Sequence, residues 1–305
     1  PSWKIIPALA AGNVVIFKPS EDSPLSANVF AEIMEQAGLP KGVFNVLHGA
    51  AEIGEAIVNH PDINLIGFTG STDTGKSIAS KCGSLNKKVS LEMGGKNAQI
   101  VMDDANIELA IEGALWGAYG TTGQRCTATS RVLLHSSIYD KFIEIFKERV
   151  KKLKLGDGLN PKTDVGPVIN QKAIDKILKY IEIGKSEGAN LVFGGKRADN
   201  GYNRSDDNFD LNNGNFIQPT LFTGVTKEMR IFQEEIFGPV LSISKFDTLE
   251  EAIELSNSVN YGLSSSIYTN NVRNSWVAVR ELEAGITYVN APTIGAEAHM
   301  PFGGV

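Results

Sequence analysis

The stretch NLIGFTGSTDTGK, residues 64–76, decides the fold. A short β-rich run ends at Gly70 and Ser71, and residues 72–82 follow with helical spacing, so a strand, a glycine-containing turn and a helix start succeed one another. The same alternation extends to both sides. NVVIFK (13–18), VFNVL (43–47), KKVSLEMGG (87–95) and NAQIVM (97–102) read as strands. Between the first two, SPLSANVFAEIMEQAGLP places Ser23 at an N-cap and Pro24 at the first helical position. Leu25, Val29, Phe30, Ile33 and Ala37 form its apolar stripe, and Gly38 and Pro40 stop it. Residues 51–59 make a further helix. Short strands separated by amphipathic helices predict a doubly wound parallel sheet.

The later part of the chain repeats this α/β pattern. Helical periodicity appears near residues 106–119, 137–153 and 170–187, strands near 216–222 and 240–246, and helices near 249–257 and 272–283. RADNGYNRSDDNFDLNNGN (197–215) has no apolar period and reads as an exposed loop without catalytic content. At 305 residues the chain exceeds one ordinary core, so two domains are expected.

Composition narrows the function classes. Hydrophobic residues make up 42% and charged residues 21%, as in a soluble globular protein, and no apolar run has membrane-spanning length. A net charge of -6 argues against a nucleic-acid surface. The basic cluster from Lys147 to Lys154 is broken by Val150 and Leu153 at helical spacing, which describes a solvated helix face. His48, His60, His135 and His299 are scattered without metal-ligand spacing, so no metal is expected. Two cysteines without a signal peptide or a cysteine framework point to the reducing cytoplasm. The chain opens at PSWKIIPALAAG and stops at PFGGV in apolar or glycine-rich text, and so reads like an excerpt from a longer protein.

Four places carry possible chemistry. In GFTGSTDTGK (67–76) a helix N-terminus behind glycines suits a phosphate, although an ordinary strand-to-helix turn reads the same way. Lys18 and Glu21 follow the first strand, where a dinucleotide ribose would lie, or else occupy a solvated loop with a capping acid. EMGGK (92–96) sets Glu92 at a strand end beside two glycines, and EEIFGPV (234–240) repeats acids, an aromatic and a turn. In GTTGQRCTATSR (120–131), Cys126 is a buried filler, half of a disulfide, a metal ligand or a nucleophile.

Taken in order, GFTGSTDTGK, EMGGKNAQIVMDDAN, GQRCTATSR, EEIFGPV, NYGLSSSIYTN (260–270) and PFGGV resemble the NAD(P)-dependent aldehyde dehydrogenase superfamily across essentially the whole chain. The resemblance implies an α/β fold with a Rossmann-type NAD(P)-binding domain over residues 1–95 and an α/β catalytic domain over 96–305. It makes Cys126 the nucleophile, on a loop at the domain junction, and Glu92 the general base. Lys18 and Glu21 would bind the adenosine ribose, Gly70, Ser71 and Gly75 would form the phosphate turn, and Glu235 and Phe237 would hold the nicotinamide ribose and ring. Relatives also carry an upstream segment with an oxyanion-hole asparagine and a tail that completes an oligomer interface. Neither is in this sequence.

The implied reaction is oxidation of an aldehyde to a carboxylic acid with NAD or NADP, through a thiohemiacetal and a thioester on the cysteine. Alternatives are a CoA-acylating relative, which Glu92 disfavours, and a catalytically silent structural protein on the same fold. NAPTIGAEAHMPFGGV (290–305), with GQRCTATSR, resembles a subgroup acting on short hydroxy- or oxo-acid aldehydes, including 2,5-dioxopentanoate and glyceraldehyde dehydrogenases. Expected partners are the aldehyde and, at full length, further copies of the chain, with no nucleic acid and no membrane. Glu21 favours NAD, while Lys18 tolerates the 2′-phosphate of NADP.

Overall fold

In the computed structural model, residues 1–297 and 299–305 are described, and the chain divides into Pro1–Met93 and Gly94–Val305. The first unit runs α1 (Ser2–Ala10), β1 (Val15–Phe17), α2 (Pro24–Gln36), β2 (Phe44–Val46), α3 (Ala51–Asn59), β3 (Leu65–Thr69), α4 (Thr72–Ser84) and β4 (Lys88–Glu92). Each strand pairs in parallel with the one beyond the next helix, as a helical crossover requires. β1 pairs with β2, and β3 pairs with β4 from Leu65 opposite Lys88 to Thr69 opposite Glu92. These are two separate two-stranded sheets rather than one. β1 and β2 are three residues each, too short to carry a wide ladder, and α3 packing on α4 links the pairs instead. Val58, Ile66 and the buried Cys82 form the small core beneath these helices.

α2 departs from its expected stripe. Ala27 is buried and Phe30 meets Phe44 edge-on at 5.6 Å, whereas Leu25, Val29 and Ile33 are 76%, 53% and 55% exposed. The helix is apolar on two faces, and the β1–β2 pair covers the one through Ala27 and Phe30. Ser23 stands at the N-cap with Pro24 behind it, but its side chain makes no capping bond. Its ψ of 47° lies outside the extended geometry that aims a hydroxyl at the first-turn amides.

The second unit contains β5 (Asn97–Val101), α5 (Ile107–Tyr119), β6 (Thr129–His135), α6 (Tyr139–Val150), α7 (Gln171–Ser186), β7 (Asn190–Phe193), β8 (Thr220–Thr223), α8 (Arg230–Gln233), β9 (Val240–Phe246), α9 (Leu249–Asn257), β10 (Ser264–Tyr268), α10 (Val272–Glu281) and β11 (Ile286–Val289). One seven-stranded sheet has the order β11-β10-β5-β6-β9-β8-β7, parallel except between β7 and β8. Its centre is buried on both faces. Ala98, Ile100 and Leu133 enter one core with Ile177, Phe222 and Phe232, and Val101, Val132 and Leu134 enter the other with Phe142, Phe146 and Leu221.

Residues 197–215 are not simply an exposed loop. Ala198 and Leu211 are buried, and Tyr202 and Phe209 pack on the second core. Asp210 accepts from Asn200, Asn212 and Asn213, a local network that has no periodicity to betray it. The basic cluster behaves as expected on α6: Val150 is buried while Lys151 reaches Glu148 on the outer face. Among the described residues, no helix is long and apolar enough to cross a membrane.

Arg131, in the middle of the sheet, is 2% exposed. Its guanidinium donates to the carbonyls of Lys96, Leu255 and Ser256, each at 2.9 Å, and lies 4.6 Å from the centre of the Phe232 ring. Arg131→Met would keep the apolar stem and strip all three carbonyls of their donor. The expected loss is about 3 kcal/mol or more, read as a lower urea midpoint; a loss under about 0.5 kcal/mol would show that water replaces the guanidinium.

Candidate active site

In the first unit Lys18 and Glu21 follow β1, Gly70 and Ser71 follow β3, and Gly75 lies within α4. Lys18, just beyond β1, donates to the carbonyls of Pro19 and Gly49 at 2.8 and 2.9 Å and lies 3.8 Å from the Glu21 carboxylate. Glu21 is exposed. Gly70 and Ser71 lie at the exposed turn from β3 to α4, where Ser71 Oγ accepts from the Thr74 amide as N-cap. Gly75 is buried, and a Cβ there would run into the Met93 sulfur, so its role is to let the residue after Glu92 lie against α4. The exposed turn, the first-turn amides of α4 and the Lys18–Glu21 pair fit an anionic nucleotide with a ribose diol.

Glu92 ends β4, and its carbonyl accepts from the Gly70 amide at 3.1 Å, so the strand-end acid and the turn are joined through the backbone. Burial raises the Glu92 carboxyl above its ordinary value, and the Lys4 ammonium partly opposes the rise. Lys4 reaches across from α1 to Ser90 Oγ at 3.3 Å.

In the second unit, Cys126 stands on the segment between α5 and β6. The approach is strained: Thr121, Thr122 and Gly123 have φ of 53°, 59° and 65°, a left-handed run that costs a β-branched residue on the order of 1–3 kcal/mol. It persists because it is fastened on several sides. Thr122 Oγ1 donates to Gly166 O, Gln124 exchanges bonds with Pro167 O and the Ile169 amide, and a Cβ on Gly123 would strike the Gly238 carbonyl. The Ala128 amide then closes a turn onto Arg125 O, with Cys126 and Thr127 as its central residues. From inside, Asn97 Nδ2 donates to the carbonyls of Cys126 and Ala128, both at 2.8 Å, and Thr293 Oγ1 donates to Thr127 O at 2.7 Å. The Cys126 residue is half-buried, and among the described residues there is no disulfide.

Arg125, Glu235, Phe237 and Gly238 line a shallow cleft beside this turn. Phe237 is another left-handed non-glycine residue, with φ of 61°. Glu235 Oε1 accepts from the Gly95 amide at 3.0 Å; burial raises its carboxyl pKa, opposed first by that hydrogen bond and then by Lys176 and Lys96. Lys96 is buried, and among the described residues its Nζ has no hydrogen-bond partner. Burial, with Arg131 nearby, lowers its pKa to about 7. Among the described residues no cluster of three or more His, Cys, Asp or Glu could hold a metal. Reading the sequence missed Asn97, Lys96, Arg131 and Thr293. The available signal was a polar or charged residue opening or interrupting a buried strand run, as in KNAQIV and TSRVLL.

The whole chain, residues 1–305, matches the aldehyde dehydrogenase family, and it belongs to that family. Among its relatives are the α-ketoglutaric semialdehyde dehydrogenase of Bacillus subtilis, 42% identical over 306 residues, and the 2,5-dioxopentanoate dehydrogenase of Saccharolobus solfataricus, 43% identical over 307. Each alignment takes in 100% of this chain and 61% or 62% of the relative. The betaine aldehyde dehydrogenase of Mesorhizobium japonicum is 43% identical, over 99% of this chain and 60% of its own length. A crystal structure of betaine aldehyde dehydrogenase from Staphylococcus aureus with NAD+ matches 100% of this chain and 59% of its own, at 41% identity and a TM-score of 0.94. The chain thus spans about three fifths of these relatives.

A raised carboxyl pKa means that ionising Glu92 costs folding stability. The cost is absent below the ordinary carboxylate range and grows as pH rises toward the folded value. Lys4→Gln removes the opposing ammonium and is expected to move the Glu92 titration further upward. The carboxyl 13C shift of labelled glutamate reads this, and an unmoved or lowered titration would remove Lys4 from the electrostatics.

Proposed function

We propose that the protein oxidises an aldehyde to a carboxylic acid with NAD or NADP, using Cys126 as nucleophile and Glu92 as general base. The observation that carries this reading is the Cys126 turn: a half-buried cysteine reached through a strained left-handed run at Thr121–Gly123, in a turn whose carbonyls are fastened from within, an arrangement that a filler cysteine does not need. The catalytic cysteine lies in the part of the chain from Gly94 onward, and Lys18, Glu21, Gly70, Ser71 and Gly75 lie in the nucleotide-binding part before it.

The Cys126 thiolate adds to the aldehyde carbon and forms a C–S bond and a thiohemiacetal oxyanion. NAD or NADP would supply the two-electron oxidation that turns the thiohemiacetal into a thioester; Lys18 and Glu21 are the residues that would hold its ribose, the Gly70–Ser71 turn its phosphates, and Glu235 and Phe237 its nicotinamide end. Glu92 then takes a proton from water, the water oxygen attacks the thioester carbonyl, and the C–S bond breaks to release the acid and the thiolate. Its raised pKa makes Glu92 a stronger base than an exposed carboxylate.

Arg125 immediately precedes Cys126 and sits 5.5 Å from the centre of the Trp116 ring. A cation there favours an anionic aldehyde, such as a short oxo-acid semialdehyde, over a quaternary ammonium aldehyde. At full length we expect a homo-oligomer.

In the full-length protein, Cys126→Ala should abolish aldehyde oxidation while NAD binding persists. Glu92→Gln should produce about one equivalent of NADH per site and then stall with the acyl group on Cys126. Mass spectrometry of the quenched protein tests both; an adduct elsewhere, or turnover by Cys126→Ala, would overturn the assignment. For the nucleotide, Glu21→Gln removes the carboxylate that accepts from the ribose diol and repels a 2′-phosphate, and should shift the kcat/KM ratio toward NADP by about tenfold or more. An unchanged ratio would show that Glu21 does not read the ribose.

A further inference from the structure

Asn97 opens β5 and is 3% exposed, yet it makes no use of solvent because both ends of its carboxamide are committed. Nδ2 donates to Cys126 O and Ala128 O, and Oδ1 accepts from the Ser264 amide at 3.1 Å at the head of β10. This pattern fixes the amide's orientation, since the flipped form would set its oxygen against two carbonyl oxygens. We propose that Asn97 is the positioning residue for the Cys126 nucleophile. The inference rests on Cys126 being that nucleophile and assigns a role to a residue outside the reacting atoms.

The geometry acts through peptide planarity. Holding Cys126 O fixes the plane of the Cys126–Thr127 peptide. Thr293 fixes the next plane through Thr127 O, and the Ala128 amide ties back to Arg125 O on the near side. With the planes on either side restrained, the Cα–Cβ bond of Cys126 has one direction. Gly95 enforces the same position sterically, because a Cβ there would collide with Cys126 O. Ser264, on the neighbouring strand β10, anchors Asn97 in turn, so the thiol's direction is referred to the centre of the sheet. A misplacement of the order of an ångström at a reacting group costs about 10²-fold in rate, so loss of this hold should be kinetic before it is structural.

The test uses the full-length protein with Asn97→Asp, Asn97→Ala and Asn97→Ser. Aspartate keeps the size and the Ser264 acceptor but turns a carboxylate toward two carbonyl oxygens; alanine removes every bond; serine retains one donor. Aspartate and alanine are expected to lower kcat about 10- to 100-fold with NAD affinity within about twofold of the parent. Serine should recover part of the loss relative to alanine. The pH profile of Cys126 alkylation by iodoacetamide should move upward in Asn97→Asp, because the added anion disfavours the thiolate. Three variants with parental kcat and an unmoved alkylation profile would overturn the proposal. So would a fall in thermal midpoint with kcat and profile intact in the folded fraction, which would make Asn97 purely structural. If aspartate and alanine do not fold, serine decides: parental kcat and profile in that variant overturn the proposal. Cys126→Ala assayed in parallel separates the two readings, since activity in that variant removes the nucleophile itself, whereas its inactivity beside an unaffected Asn97 series removes only the role given to Asn97.

Discussion

Six backbone carbonyls around the amino ends of β5 and β6 and the end of α9 are satisfied by three buried side chains: Arg131 takes three, Asn97 two and Thr293 one. A buried carbonyl without a donor costs on the order of 1–3 kcal/mol, so the chain must either keep this region regular or bury donors in it. It buries donors. The departure from regular ladder bonding is what leaves room for the Cys126 turn at the edge of the sheet's centre, and the polar side chains in otherwise apolar strands follow from that one requirement.

The same requirement shapes the electrostatics. Bringing the Arg131 guanidinium inside places a fixed positive charge near Lys96, whose ammonium is already penalised by burial, and this adds to the fall of its pKa to about 7. Glu235, raised by burial and held by the Gly95 amide, feels the opposite influence from Lys96 and Lys176. Burial is the larger influence on both, and Lys96 and Glu235 each titrate in the weaker field of the other.

The fold was legible where its elements obey a simple period. β3, α4 and β5 lie within a residue or two of where NLIGFTG, residues 72–82 and NAQIVM placed them. β10 was hidden because Ser264, Ser265 and Ser266 look like a linker, although all three are buried in the sheet. β6 was hidden because Arg131 interrupts its apolar run. α2 shows the converse limit, since two apolar faces on one helix leave the choice of core face to the strands beside it. For the site, Glu92 stood out by its place at a strand end beside two glycines, and Cys126 by its ordered company of motifs rather than by its own surroundings. Asn97 could not stand out, because its significance lies in carbonyls some thirty residues away and in Ser264, 167 positions on.

Those long separations bear on how the molecule comes into being. The Cys126 turn is fastened by Asn97, by residues 166–169 and by Thr293, and Asn97 is itself anchored at Ser264. Contacts of such sequence distance carry the entropy cost of closing the intervening loops, and a fold rich in them forms slowly. The left-handed run at Thr121–Gly123 leans in part on the distant Gly166 carbonyl, and its neighbour Gln124 on Pro167 and Ile169, so a chain in which those contacts have not formed lacks part of what offsets the strain. The conformation of the Cys126 turn is therefore a property of the assembled sheet from β5 to the segment after β11, and no short stretch of the chain around residue 126 carries it alone.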